Sequence, residues 1–195
     1  PVGGTWKLSP EAGALKVGPG VDDGSWWANS REVYTSDAGD CAEGVMFDGD
    51  GTFNNILKDT TWLEKWQGVT AEGCGTPVAP HDGSNAATWE YNTGTGTVTL
   101  TGVGAYLGLP KVYNGGEITA ANADTSIASI TYDIAFSGAD NDTMTVAINF
   151  GPGDWTYKLV AMTPAPDWAG TWKLSPEAGA LKVGPGVDDG SWWAN

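Results

Sequence analysis

The sequence predicts an all-β fold of antiparallel strands, a barrel or a sandwich, and three observations carry that prediction. Helical periodicity is nearly absent from the 195 residues. Short runs rich in β-branched and aromatic residues recur between clusters of Gly, Asp and Asn, at intervals suited to antiparallel strands. Near the end of the run, Trp155, Tyr157 and Leu159 alternate with Thr156 and Lys158, which marks one buried face of a closing strand.

Taken in order, the first strand is Gly4-Thr-Trp-Lys-Leu8. The clearest hairpin is Gly44 to Leu57, where two β runs flank Asp48-Gly49-Asp50-Gly51 and the glycines are free to take the positive φ of a tight turn. One short helix is expected near 60–66, over Thr60-Thr-Trp-Leu-Glu-Lys-Trp66, with Asp59 or Thr60 as N-cap and Trp62 and Trp66 four apart on one face. A second hairpin joins Ala87–Asn92 to Thr97–Thr101, and a third joins Ile127–Phe136 to Thr143–Phe150 through the turn Ser137–Asp142. The closing strand is Trp155–Ala161. Alternation along these runs places Trp6, Leu8, Val45, Phe47, Phe53, Ile56, Trp89, Leu100, Ile130, Tyr132, Ile134, Val146, Ile148, Tyr157 and Leu159 in the core.

The segment from Gly4 to Asn29 recurs letter for letter from Gly170 to Asn195, an offset of 166 residues. Residues 1–166 therefore read as one complete β domain, and 167–195 as the end of a linker plus the start of a second copy. The linker is Met162-Thr-Pro-Ala-Pro-Asp167, in which Pro164 and Pro166 hold the backbone near extended geometry. Even exposed-looking positions such as Glu11, Lys16 and Asp22 recur. Selection for a fold does not preserve such positions, so the duplication is recent or kept homogeneous, as in tandem arrays.

The formal net charge of −15 repels phosphate backbones and anionic headgroups, which argues against nucleic acid and membrane surfaces as partners. No apolar run approaches the ~20 residues of a spanning helix. Cys41 and Cys74 both fall in Gly- and Asp-rich loop sequence, outside any CxxC or metal spacing. A disulfide in an oxidising compartment is one reading, worth roughly 3–4 kcal/mol in the chain-entropy model, and two buried thiols is the other. With few Lys and Arg, 29 Gly and 11 Trp, the composition is that of an extracellular bacterial β protein.

Three stretches resemble lipocalin-like β-barrels: Gly4-Thr-Trp-Lys-Leu8 their first-strand G-x-W signature, Phe47-Asp-Gly-Asp-Gly-Thr-Phe53 a hairpin of their bacterial members, and Trp155–Leu159 their last strand. Four others, Trp6–Leu15, Trp62–Gln67, Val78–Ser84 and Gly104–Lys111, resemble a domain found in tandem in large secreted proteins of Bacteroidota, sometimes beside polysaccharide-degrading modules. The first resemblance implies that Trp6 packs across a barrel floor against a basic residue, here Lys158. The long insertion Pro10–Asp40 departs from it and favours a filled interior over an open cavity.

No catalytic set emerges, and the expectation is a protein that is not an enzyme and carries no cofactor. His81 is the lone histidine, in a Pro-His-Asp-Gly loop with no nucleophile elbow near it. Carboxylate pairs occur by chance in so acidic a chain. Asp48 and Asp50 are weak Ca²⁺ candidates, as are Asp140, Asn141 and Asp142 or Asp22 and Asp23, but none fits an EF-hand loop and turn formation explains them all. Trp26 and Trp27 are adjacent, so on a strand they point to opposite faces and at least one ring faces away from the core, available for stacking on a sugar or for contact between protomers; a loop folded back so that both are buried is the other reading. Asn141-Asp-Thr143 is a sequon, and Asp142-Thr143-Met144 and Asp59-Thr60-Thr61 fit an O-glycosylation signal of Bacteroidota.

The leading expectation is a secreted structural protein, a repeat domain whose partners are copies of itself, joined head to tail into an extracellular fibre. A carbohydrate-binding or adhesive module is the alternative, with polysaccharide as partner, and a lipocalin-like carrier of a small apolar ligand the third. In the fibre reading the second copy supplies the assembly interface, through Trp172, Leu174, Leu181, Val183, Trp192 and Trp193. It then makes few contacts with residues 1–160, because one unit has room for one copy.

Overall fold

The computed structural model describes residues 2–29, 41, 43–57, 59–123, 127–138 and 140–162, together with residues 182–183 and 193–194 of the second copy. The chain divides into two compact units, Pro1–Met162 and Thr163–Asn195.

In the first unit eight strands close into an antiparallel β-barrel. They are β1 (Gly4–Leu8), β4 (Glu43–Phe47), β5 (Thr52–Leu57), β8 (Ala87–Asn92), β9 (Thr97–Thr101), β12 (Ser129–Ser137), β13 (Thr143–Asn149) and β14 (Asp154–Ala161). Neighbours in that order are hydrogen-bonded, and β14 returns to β1 with Trp6 opposite Ala161 and Leu8 opposite Leu159. Closure leaves no sheet edge around the barrel, which resolves barrel from sandwich. The three hairpins form where expected. In the first, Phe47 faces Phe53 and the turn is closed by Gly51, at φ 90°, donating to the Asp48 carbonyl.

The edge of β14 is shared by two successive stretches of chain. Its C-terminal half pairs with β1; its N-terminal half pairs with β2 (Leu15–Gly18), with Leu15 opposite Tyr157 and Gly18 opposite Asp154. Between them the chain leaves the ladder at Ser9, which donates to the Lys158 carbonyl, and rejoins at Ala14, whose carbonyl accepts from Lys158. Strand β3 (Trp27–Ala28) then pairs with β2.

Of the expected core, all but two residues are buried; Ile56 and Trp89 are half-buried. The helix expected near 60–66 is replaced by a strand and a single turn. Residues Thr61–Leu63 form β6, paired with β7 (Gly73–Gly75), and only Lys65–Gln67 turn, as a 3₁₀ helix. Trp62 sits opposite Cys74, so the short β6–β7 ladder and the disulfide to Cys41 take the residues a longer helix would need. The N-cap is Glu64, not Asp59 or Thr60, and its amide donates to the Gln67 side chain. Among the described residues no helix is long and apolar enough to cross a membrane.

Packing of Trp6 also differs from the resemblance. Its indole N–H donates to the Val2 carbonyl and its ring meets Phe136 at 6.0 Å. Lys158 lies on the outer face, because it alternates with the inward Tyr157 and Leu159, and it pairs with Glu11 at 2.7 Å.

The inside of the barrel is occupied by a segment that pattern reading leaves unassigned. Ala105, Tyr106, Leu107 and Leu109 are buried between β9 and the short strand β10 (Val112–Tyr113), which pairs with β11 (Gly116–Glu117). The Leu107 amide donates to the Tyr132 hydroxyl, and Asn55 donates to the Tyr106 carbonyl. Gly108, at φ 73°, lies so close to the Tyr157 ring that any Cβ there would overlap it.

In the second unit, β15 (Lys182–Val183) pairs with β16 (Trp193–Ala194), with Lys182 opposite Ala194 and Val183 opposite Trp193. This is the register of Lys16 with Ala28 and Val17 with Trp27, moved along by the offset of the repeat.

Candidate functional site

The β2–β3 hairpin and the surface beneath it gather the unusual side chains of the first unit. Trp26 and Trp27 are 51 % and 46 % exposed, among the most exposed large apolar side chains described. Each is seated on a neighbour. The Trp26 ring lies on Gly153, where a Cβ would overlap the Gly18 carbonyl and come within 2.6 Å of the ring, so glycine lets both approach. Trp27 meets Trp155 at 6.0 Å, and Trp155 stacks in turn on buried Tyr157 at 6.0 Å and 15°. Asn29, itself buried, ties the hairpin base by accepting from the Leu15 amide and donating to the Glu11 carbonyl. Asp22 donates its amide to the Thr156 hydroxyl and pairs its carboxylate with Lys16 at 2.6 Å.

Beside Trp155 lies a charged group that sequence reading missed. The Glu64 carboxylate is almost wholly buried and accepts from Lys111 at 2.8 Å and from the Trp62 indole at 3.1 Å. Lys111 also approaches Glu72 at 3.5 Å and lies 5.6 Å from the Trp155 ring centre. Burial pushes the Glu64 carboxyl above its ordinary range in spite of Lys111. Burial alone would lower Lys111, but the Glu64 and Glu72 carboxylates outweigh it and hold the ammonium above its usual value. The one available signal was a glutamate inside the tryptophan-rich run Trp62–Trp66.

His81 lies in a loop as expected, but the loop buries it, with its ring 5.1 Å from Trp66 and 5.6 Å from Tyr106. Burial pulls its pKa down to about 4, against a weaker upward pull from Asp82. The imidazole is therefore neutral at pH 7 and packs as an aromatic. Because its folded pKa lies below the unfolded value of about 6.5, the unfolded chain binds the extra proton between those limits. Stability is expected to be full above pH ~6.5 and to fall by roughly 3 kcal/mol on acidification to pH ~4. Urea titrations across that range check it, and His81→Phe should flatten the part due to this residue.

The remaining candidates are scattered. Cys41 and Cys74 form the disulfide, with S–S 2.07 Å and Cα atoms 5.2 Å apart. Asp48 and Asp50 belong to the first hairpin turn, where Asp50 accepts from the Thr52 amide, a bond that also lowers its pKa. Asp22 serves Lys16, while Asp23 accepts from the Ser25 amide. Asp140, Asn141 and Asp142 form the exposed tip of the β12–β13 turn. Among the described residues no three His, Cys, Asp or Glu side chains gather as a metal site. Asn141 is exposed at φ 56°, Thr143 opens β13 half-buried, and Thr60 is half-buried just before β6. Of the assembly residues, Val183 and Trp193 lie on the paired strands β15 and β16. Trp172, Leu174, Leu181 and Trp192 fall outside the described residues.

What the first unit presents is thus an exposed pair of aromatic rings over a packed barrel, with the Glu64–Lys111 ion pair set into the surface beside Trp155. No family model matches the chain, and no curated protein does so either.

Proposed function

We propose that the chain is a non-enzymatic structural protein of the extracellular space, whose barrel unit repeats head to tail to build a fibre or surface filament. One observation carries the reading: the second copy of Gly4–Asn29 pairs its hairpin in the same register as the first, in a unit of its own. Pairing is therefore written into the repeated residues and does not need the β14 edge of the first barrel. That edge is already taken by the first copy. A second copy completes a further barrel, either as the start of the next domain in one chain or as strands given to a neighbouring molecule. Such a contact is heterologous and propagates unless rotation closes it. The Cys41–Cys74 bond fits an oxidising, extracellular setting, and so does the resemblance to tandem domains of secreted Bacteroidota proteins. Negative-stain electron microscopy of purified protein is expected to show filaments with a regular axial repeat. Monodisperse single particles at high concentration would overturn the reading.

The exposed pair Trp26 and Trp27 favours a second reading, a carbohydrate-binding or adhesive module. Rings already seated against Gly153 and Trp155 have less freedom to lose on stacking against a sugar face. The carrier reading has less support. Tyr106 and Leu107 occupy the interior, and the cavity beside Trp6 and Leu159 measures about 290 Å³ with its open mouth included.

A further inference from the structure

The chain enters and leaves the barrel at one place. Gly4 opens β1 and Ala161 ends β14, these strands are antiparallel neighbours, and the Met162 amide donates to the Thr5 carbonyl at 2.8 Å. Tension arriving through Gly4 and leaving through Met162 therefore meets the β1–β14 ladder at its end. The same holds for the two ladders behind it, because β4 ends beside Gly4 and β13 begins beside Val160. Hydrogen bonds in an antiparallel ladder lie across the strands, so a load at one end is borne by one pair at a time. A load running from one end of the barrel to the other would be shared by the whole row.

We propose that the unit is a mechanically soft, extensible link, in which tension along the chain unzips β1 from β14 and the Cys41–Cys74 bond sets how far the unit can lengthen. Trp6, opposite Ala161, is the first buried side chain reached. Its loss removes the contact with Phe136 and exposes the packed interior, so opening is cooperative once past that pair. Extension then runs through the chain except for the stretch closed between Cys41 and Cys74, which cannot lengthen while the bond is intact. The source of the tension rests on the fibre reading above, while the loading geometry does not.

Single-molecule force spectroscopy on the full chain tests the proposal with two handle placements. Handles at residues 4 and 162 load the strand ends; handles at 4 and 152, where Pro152 is exposed just ahead of β14, load the barrel end to end. The first placement is expected to open at a force several-fold lower than the second. In both placements, reduction should add the length of the 33-residue Cys41–Cys74 separation, roughly 110–120 Å at ~3.3–3.6 Å per residue. Equal forces in the two placements, or an opened length indifferent to reduction, would overturn the soft link whatever the micrographs show. A low force in the first placement from a protein that forms no filaments would uphold the link and overturn the fibre reading instead.

Discussion

Gly108→Ala is expected to destabilise the barrel by about 2–5 kcal/mol, enough to unfold a marginal domain. Two costs add. At φ 73° an L side chain meets its own carbonyl, for about 1–2 kcal/mol. The new methyl also enters the Tyr157 ring, which is fully buried and stacked on Trp155, so the ring has little room to retreat. Overpacking of that kind costs about 1–3 kcal/mol. The inserted segment would be pushed off β14, loosening the bond from Leu107 to Tyr132 and the pair between Asn55 and Tyr106. Chemical denaturation of the variant checks the sum. Gly115→Ala is the control for the backbone cost, since Gly115 has φ 89° and a methyl there would meet nothing within 4 Å. A loss no larger than that of the control would show that the Tyr157 contact gives way easily.

The contrast between Gly108 and the hairpins shows what the sequence carries openly. Strand pairs joined by short turns are local, and both period-2 alternation and turn glycines announce them. Thus Ala87–Asn92 with Thr97–Thr101 is legible to the residue, and the strand positions expected in the core are buried except Ile56 and Trp89. The segment Gly104–Lys111 has no period, because its backbone runs irregularly across the inward faces of strands far away in the chain. Leu107 and Leu109 are as buried as strand residues, yet nothing near them in the sequence says against what. The helix expected near 60–66 fails for a related reason. Trp62 and Trp66 are four apart, but the partners that decide their fate, Cys74 and the Pro110 carbonyl, are distant. At the candidate site at least one outward ring in the pair Trp26 and Trp27 was legible, and both are about half exposed instead of folded back and buried. What holds them was not legible, since Gly153 and Trp155 lie more than a hundred residues further on.

The pair Glu64–Lys111 was also out of sight in the sequence, and it sets the second large effect. Lys111→Met is expected to cost about 3 kcal/mol at pH 7, near the lower end of the 3–5 kcal/mol for breaking a buried pair, because Lys111 is partly exposed. Methionine keeps the stem that packs beside Trp155, so the loss is chiefly that of the charge. Glu64 would then be a buried carboxylate without its cation, held by the Trp62 indole and the Gln67 amide of the capping box, and Glu72 would add repulsion where Lys111 had screened it. The sign with pH follows. The Glu64 pKa is already raised in the folded protein, and losing Lys111 raises it further, so the folded variant takes up a proton more readily than its unfolded chain. The gap between variant and parent is therefore expected to be widest at neutral pH and to narrow as the pH falls toward the raised value. Loss of stability through His81 is common to both proteins and cancels in the difference. Replacing both partners, Glu64→Gln with Lys111→Met, should recover most of the loss at pH 7, since a neutral amide still accepts from the Trp62 indole. Denaturant midpoints of the four proteins at pH 5 and pH 7 measure the coupling directly. Single variants that simply add, with no dependence on pH, would mean that Glu64 is held by its other neighbours and that Lys111 contributes only its packing.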